Sequence, residues 1–315
     1  MTFRDGIWHL FKLIFLISLV NACSQAEFSK VPGPDNGATG TQTPAGDGTG
    51  TGGGGGGTGG GGGTGGGGGG TGGGGGGGPT PPPVCNPFGG PPPGSQNGIS
   101  GTIHYLHDSQ PLYSDVRQYF QSGHKMNAQL FLSDLYVPTR WFDQGFYTAG
   151  GTGLRREDGS LLIEKFALSV GSTIRLASDD PAGYRQFAIL SDDGSLFTVN
   201  HNGTEKLLID NNGISPTRMG CGPTENILFD HSMGLPMRVD YFQGPRYHIS
   251  AVLLWRLASS SSPQGDPLCG YASNTEYFDQ NSSTPQQKYY DLLSRGWRPL
   301  RPQNYWLDGT NPCAQ

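Results

Sequence analysis

Charge is scarce in this chain. Only 14% of its 315 residues are charged, with 20 Lys and Arg against 25 Asp and Glu, for a net −5. No basic stripe gathers anywhere, which excludes a nucleic-acid footprint. Long apolar runs are also missing. The run Leu13-Ile14-Phe15-Leu16-Ile17-Ser18-Leu19-Val20 has eight residues, too few to span a bilayer but suited to the apolar core of an export signal. The chain has no GxSxG elbow, no Walker loop and no HExxH, so the corresponding hydrolase, nucleotide and zinc-protease signatures are excluded. His104 and His107 stand three apart with no helix to align them. No pair of cysteines has CxxC spacing, which argues against a zinc or thioredoxin-type site.

Glycine, by contrast, is abundant, and it is concentrated. Of 55 glycines, 29 lie between Gly37 and Gly78, and Gly52 to Gly78 is interrupted only by Thr58, Thr64 and Thr71. Such a stretch has almost no side chains to bury and cannot build a core. Arg4 and Lys12 precede the apolar run, and Val20-Asn21-Ala22-Cys23 closes it. That ending resembles the bacterial lipobox, with a branched apolar residue three before the cysteine and a small one just before it. The resemblance implies cleavage after Ala22 and a covalent lipid on Cys23. Ser24 follows where an Asp would be the inner-membrane retention signal, so an outer-membrane location, periplasmic or surface-facing, is expected. The chain therefore divides into a signal peptide over 1–22, a disordered Gly/Pro-rich linker over 23–94 and a folded domain over 95–315, with a C-terminal extension from 259. A flexible coil of this composition averages roughly 5–6 Å × √n, so ~45 Å for the linker. Pro79, Pro81–Pro83 and Pro91–Pro93 stiffen its far end.

Within the domain, turn dipeptides separate short strands. Ile163–Leu168, Thr173–Ala177, Gln186–Leu190, Leu196–Val199, Lys206–Ile209, Met237–Tyr241 and Tyr247–Trp255 read as strands. Asp193-Gly194 and Asn202-Gly203 read as successive hairpin turns with positive φ. This spacing predicts an all-β fold, an antiparallel sandwich or barrel. One short C-terminal helix is predicted, with Thr284 as N-cap, Pro285 at its first position and Gly296 ending it. Its buried face would hold Tyr289, Leu292 and Leu293. Cys85, Cys221, Cys269 and Cys313 make an even count in an exported chain, hence two disulfides. Of three connectivities, Cys269–Cys313 with Cys85–Cys221 is favoured, the first stapling the tail.

Four segments recur in order: Phe187-Ala188-Ile189-Leu190-Ser191-Asp192-Asp193-Gly194-Ser195, Leu207-Leu208-Ile209-Asp210-Asn211-Asn212-Gly213, Met237-Arg238-Val239-Asp240-Tyr241-Phe242, and Ile249–Trp255. Together they resemble the PA-14 domain, the protective-antigen-type β-sandwich. The resemblance implies a lectin-like module in which two aspartates joined by a cis peptide, here Asp192 and Asp193, hold a calcium ion that also ligates sugar hydroxyls. Family members carry an asparagine on a second loop where this chain has Gln243, followed by Gly244-Pro245-Arg246. Arg246 and Trp141 complete the expected ligand-binding set, the tryptophan either stacking on a sugar or filling core. The same acidic pair could instead be a plain turn.

The functional expectation is a membrane-anchored binding module, lectin-like and calcium-assisted, with a glycan or cell-envelope partner. The alternative is a structural or protein-interaction envelope lipoprotein with no sugar site. Catalysis is not expected, because neighbouring carboxylates on one turn cannot flank a bond from opposite sides. The anchor is directly testable. Cys23→Ser removes the thiol that would carry the lipid, so incorporation of a fatty-acid probe should vanish; equal labelling of the variant would remove the anchor.

Overall fold

The structure is a computed structural model and describes residues 83–89, 93–144 and 154–314. The expected signal peptide, Cys23 and nearly all of the linker lie outside the described residues. Two sheets face each other. The first takes β1 (Val84–Cys85), β2 (Ile99–Tyr105), β3 (His124–Leu132), β5 (Phe166–Ile174), β7 (Ser195–His201), β8 (Thr204–Asn211) and β11 (Leu235–Gln243), in the order β1-β3-β2-β5-β11-β7-β8. The terminal β14 (Tyr305–Trp306) pairs with β5. The second takes β10 (Ile227–Phe229), β6 (Gly183–Asp192), β12 (His248–Ala258) and β13 (Arg298–Pro299) in that order, with β4 (Tyr136–Trp141) on β12 and β9 (Arg218–Cys221) on β6. All pairings are antiparallel except β1 with β3. The all-β sandwich is as expected.

Alternation explains the layers. Phe187 and Ile189 of β6, and Ile249, Leu253 and Trp255 of β12, pack inward with Phe197, Val239 and Tyr241 of the first sheet. The residues between them, Ala188, Leu190, Val252 and Leu254, pack outward under Leu268, Tyr277, Phe278, Tyr289, Leu292 and Trp297 of the C-terminal extension. Strands buried on both faces read as continuous apolar runs, which is why β6 and β12 stand out in the sequence. By contrast β5 was split into two expected strands, Ile163–Leu168 and Thr173–Ala177. Its middle is Ser169-Val170-Gly171-Ser172, where small and polar residues break the apolar pattern without breaking the strand.

Several expectations shift. Two helices are described, not one. The first, α1 (Val116–Ser122), has Asp115 as N-cap, its carboxylate accepting from the Arg117 amide. Seven residues are too short for periodicity to announce. The second, α2 (Gln287–Ser294), starts later than expected, with Gln286 rather than Thr284 at the N-cap. Tyr289 and Leu292 are buried as expected and Leu293 is half-buried; Gly296 takes φ +87° just past the end. Asn202-Gly203 does turn a hairpin, β7 into β8, with φ +56° and +78°. Asp193-Gly194 does not: it carries the chain from β6 in one sheet to β7 in the other. Gly194 is needed there for space, since a Cβ would press on the Phe242 ring and sit 2.7 Å from the Gly213 amide nitrogen.

The favoured disulfide pairing is overturned. Cys85 bonds Cys313 and Cys221 bonds Cys269. The reason is register: β1 lies alongside β3, with Cys85 opposite Phe131, at the end where the tail returns, while β9 brings Cys221 to the start of the extension. Val84–Cys85, placed in the expected linker, is thus part of the sheet. Non-reducing peptide mapping should recover these two links. Replacing Cys85 and Cys313 by serine should lower stability by on the order of 3–5 kcal/mol in the chain-entropy picture, because the loop they close is long. Recovery of Cys85 linked to Cys221 would refute the arrangement.

Candidate functional site

The site grows from the crossing between the sheets. The β6–β12 ladder runs as far as Asp192 opposite Ser250. The chain then passes through a cis peptide between Asp192 and Asp193, the bond that the family resemblance implied. Ser191 and Ser195, flanking the pair, close the crossing with a hydroxyl contact of 2.8 Å, and the Asn211 amide donates to Ser191 Oγ at 2.9 Å. Each residue of the Ser-Asp-Asp-Gly-Ser motif therefore has a local job.

Both carboxylates are buried, Asp192 at 5% exposure and Asp193 at 3%. Asp193 is held by two loops: the Ser215 amide donates to Oδ1 at 3.1 Å, and the Gly244 amide to Oδ2 at 2.8 Å. Tyr119 of α1 packs over this side, its ring stacked on Phe242 at 4.9 Å. The Asp192 carbonyl accepts from the Tyr241 hydroxyl. Asp192 Oδ2 is buried with no hydrogen-bond partner among the described residues. Burial, and then the Asp193 charge, push the Asp192 carboxyl up to about 9, with Thr217 pulling the other way. Burial pushes Asp193 up to about 7, against the Gly244 and Ser215 amides.

The other expected residues divide. Gln243 does not face a ligand. It is fully buried; its Oε1 lies 2.8 Å from the Tyr241 hydroxyl, and its Nε2 donates to the carbonyls of Pro245 at 3.1 Å and His248 at 2.8 Å. Its extra methylene folds it back as an internal brace of the loop. Arg246 is exposed and pairs with Glu164 at 3.3 Å. Trp141, half-buried at the end of β4, lies opposite His248 on β12, with ring centroids 4.7 Å apart and its Nε1 donating to Asn281. It is not core. Tyr247, expected to begin the strand, lies one residue before it on the loop, 70% exposed with φ +123°. Its only signal was the preceding Gly-Pro. Tyr119, Ser215 and Thr217 carried none, since they reach the pair from distant parts of the chain.

A cation is what the family resemblance implies here, and the donors decide whether it fits. Hard cations take oxygen ligands. Two adjacent buried carboxylates, one with an unmatched oxygen, supply that chemistry and charge. No third acidic or histidine side chain joins them, since no such cluster of three occurs among the described residues. The chemistry of the pair fits a hard cation such as calcium, whose remaining ligands would have to be neutral oxygens.

Fold and site define a two-sheet sandwich with an acidic pair buried at its loop end. No protein-family model and no curated protein matches the sequence. Among solved structures, the chain is similar to an anti-sigma factor domain-containing protein, at 16% identity over 56% of this chain and 50% of that one, TM-score 0.35. It thus spans half of that protein's length. It is also similar to the PA14 sugar-binding domain from an RTX adhesin (14% identity, 54% of this chain and 94% of that one, TM-score 0.33). A third is the Epithelial Adhesin 6 A domain from Candida glabrata, solved with Galb1-3GlcNAc (15% identity, 65% and 96%, TM-score 0.35). A PA14 domain is therefore among its structural neighbours.

The raised carboxyls make a prediction with a definite sign. The folded state keeps protons that the unfolded chain releases above about pH 4. Their contribution is present below that pH and is lost as pH rises through about 7 and 9. In chelator, melting temperature should fall from pH 5 to pH 8, and Asp192→Asn should flatten the fall. An unchanged slope in the variant would mean that the pair is not buried as described.

Proposed function

We propose that this chain is a lipid-anchored binding module of the bacterial envelope. Cys23 carries the lipid, residues 24–82 give reach, and the sandwich recognises a glycan at its acidic end with the help of calcium. The observation that supports this most strongly is the Asp192–Asp193 pair: two buried carboxylates, fixed by amides from two loops, with one oxygen unmatched. Bound calcium would neutralise the pair and offer coordination to sugar hydroxyls. The chain's own residues do the rest. Ser215 and Gly244 orient Asp193, Tyr241 fixes the Asp192 backbone, and Gln243 braces the loop that presents Arg246 and Tyr247. Trp141 supplies an aromatic surface beside them. The reading is of binding and not catalysis, since the two carboxylates leave one turn side by side and Asp193 is already committed to two amides.

Calcium bound only by the folded state must raise stability by RT ln(1 + [Ca]/Kd), about 2.7 kcal/mol at a hundredfold excess over Kd. Wild type should therefore melt higher in millimolar calcium. Asp193→Asn, which loses a charge and leaves one of the two donating amides unmatched, should melt somewhat lower in chelator and, measured against its own chelator value, should lose most of that shift. Glycan binding should follow the same pattern. No shift in wild type removes calcium from the account and leaves the pair as a structural turn of an envelope interaction protein.

A further inference from the structure

The outer faces of the two sheets are treated differently. That of the second sheet is buried under the C-terminal extension. That of the first is covered at one end by α1, where Val116 and Tyr119 pack with Ala167, Leu196 and Phe242. At the other end the tail after β14 crosses it. Between tail and sheet lies an open groove of about 570 Å³, lined among others by Ser100, Gln129, Gly171, Thr173, Trp306 and Asp308. Ligand sites commonly have volumes of roughly 300–1,000 Å³.

We propose that this groove is a second binding site, independent of calcium, which takes a neutral oligosaccharide against Trp306.

Rigidity is the first support. The tail is fastened along its length: the Leu307 amide donates to the Gln96 carbonyl at 2.9 Å, the Asn311 amide to the Ser95 carbonyl at 2.7 Å, and Asn311 Nδ2 to the Asn97 carbonyl at 2.9 Å. Ser172 Oγ donates to the Trp306 carbonyl at 3.0 Å, and Cys313 is bonded to Cys85. The Arg175 guanidinium lies 4.8 Å from the Trp306 ring centroid, over one face. An indole held this way is a ready-made platform for the apolar face of a sugar ring.

The floor is the second. Ser100 stands opposite Gly171, and Thr173 opposite Pro236. A Cβ at Gly171 would crowd the Met237 carbonyl oxygen, at 3.2 Å, and meet no other atom within 4 Å, so glycine keeps the floor low and any larger side chain there would stand in the groove. The side chains of Ser100, Gln129, Thr173 and Asp308 make no hydrogen bond with other described residues, which leaves hydroxyl, amide and carboxylate groups for a ligand. Their chemistry selects the occupant. A single carboxylate among neutral polar groups repels nucleic acid and attracts no anion. A peptide adding as a strand needs an open sheet edge, yet β2 pairs on both sides with β3 and β5, and β5 with β2 and β11. Hydroxyls stacked on an aromatic ring satisfy what remains.

The test uses the intact protein and three neutral probes, cellohexaose, chitohexaose and maltohexaose, titrated in EDTA. At least one should bind. Trp306→Ala and Gly171→Val should each weaken it about tenfold, the scale of one lost stacking contact or a filled subsite. Because either change could disturb the sheet, Gln129→Ala, on an exposed side chain, should weaken binding with an unchanged melting temperature. Binding that appears only with calcium overturns the groove and leaves the reading of Asp192 and Asp193 standing. Binding in EDTA that all three variants retain at wild-type strength also overturns it.

Discussion

Two carboxylates set side by side in a protein interior impose a demand that water is not there to meet. Unit charges a few ångströms apart in a medium of low dielectric repel far more strongly than in solution, and an unsolvated charge is expensive in itself. The loop end of this sandwich is arranged around that demand. Amides arrive from the loop after β8 and the loop after β11, a tyrosine hydroxyl takes the backbone carbonyl, and the flanking serines and Asn211 close the crossing. The same end of the sandwich seats α1: Asn212 Oδ1, on the loop after β8, accepts from the Val116 amide, and Phe242 near the end of β11 stacks on Tyr119. Local electrostatics thus fixes loops from four parts of the chain, and one carboxylate oxygen remains without a partner.

How much of this could be read beforehand follows from which interactions are local. The β6 and β12 strands announced themselves because both of their faces are buried, and the Asn202-Gly203 hairpin because its turn chemistry lies within two residues. Asp192 and Asp193 were legible as a motif. Their partners were not, because Ser215, Gly244 and Tyr119 lie about 20 to 70 residues away and look ordinary in isolation. Asp193-Gly194 illustrates the failure well. The dipeptide suggests a hairpin, yet whether a turn joins strands of one sheet or of two depends on the pairing of β6 with β12 and of β7 with β11. The disulfides fail for the same reason. Spacing along the chain carries no information about the parallel β1–β3 pair that brings Cys85 toward Cys313.

The C-terminal extension is built on a second buried carboxylate, which meets the same demand differently. Asp266 accepts from Arg295 at 2.9 and 3.0 Å, from the Trp297 indole at 2.8 Å, and from the Leu268 amide, and Arg256 lies 3.4 Å away. Hydrogen bonds from these donors hold its carboxyl below the usual range despite burial. The Arg256 guanidinium also sits 4.5 Å over Trp297. Here every carboxylate oxygen is matched, two arginines balance the charge, and the result is a lock that seats α2 against the sheet.

The two carboxylate centres show two ways of burying acids within one fold. A buried acid that exists to hold the protein together is given its cations by the chain, as Asp266 is. At Asp192 and Asp193 the described residues supply only neutral amides and hydroxyls, and among them no arginine or lysine bonds either carboxylate, although Arg246 stands on the adjoining loop, turned outward to Glu164. Positive charge at that end must come as protons or from outside. Under the proposed reading this incompleteness is what makes the end a binding site. The sandwich and its paired loops bear the ordering entropy in advance, so a cation and the ligand hydroxyls it would gather meet donors already in place. A self-sufficient pair, neutralised like Asp266, would have made a firmer turn and left nothing for a partner to complete.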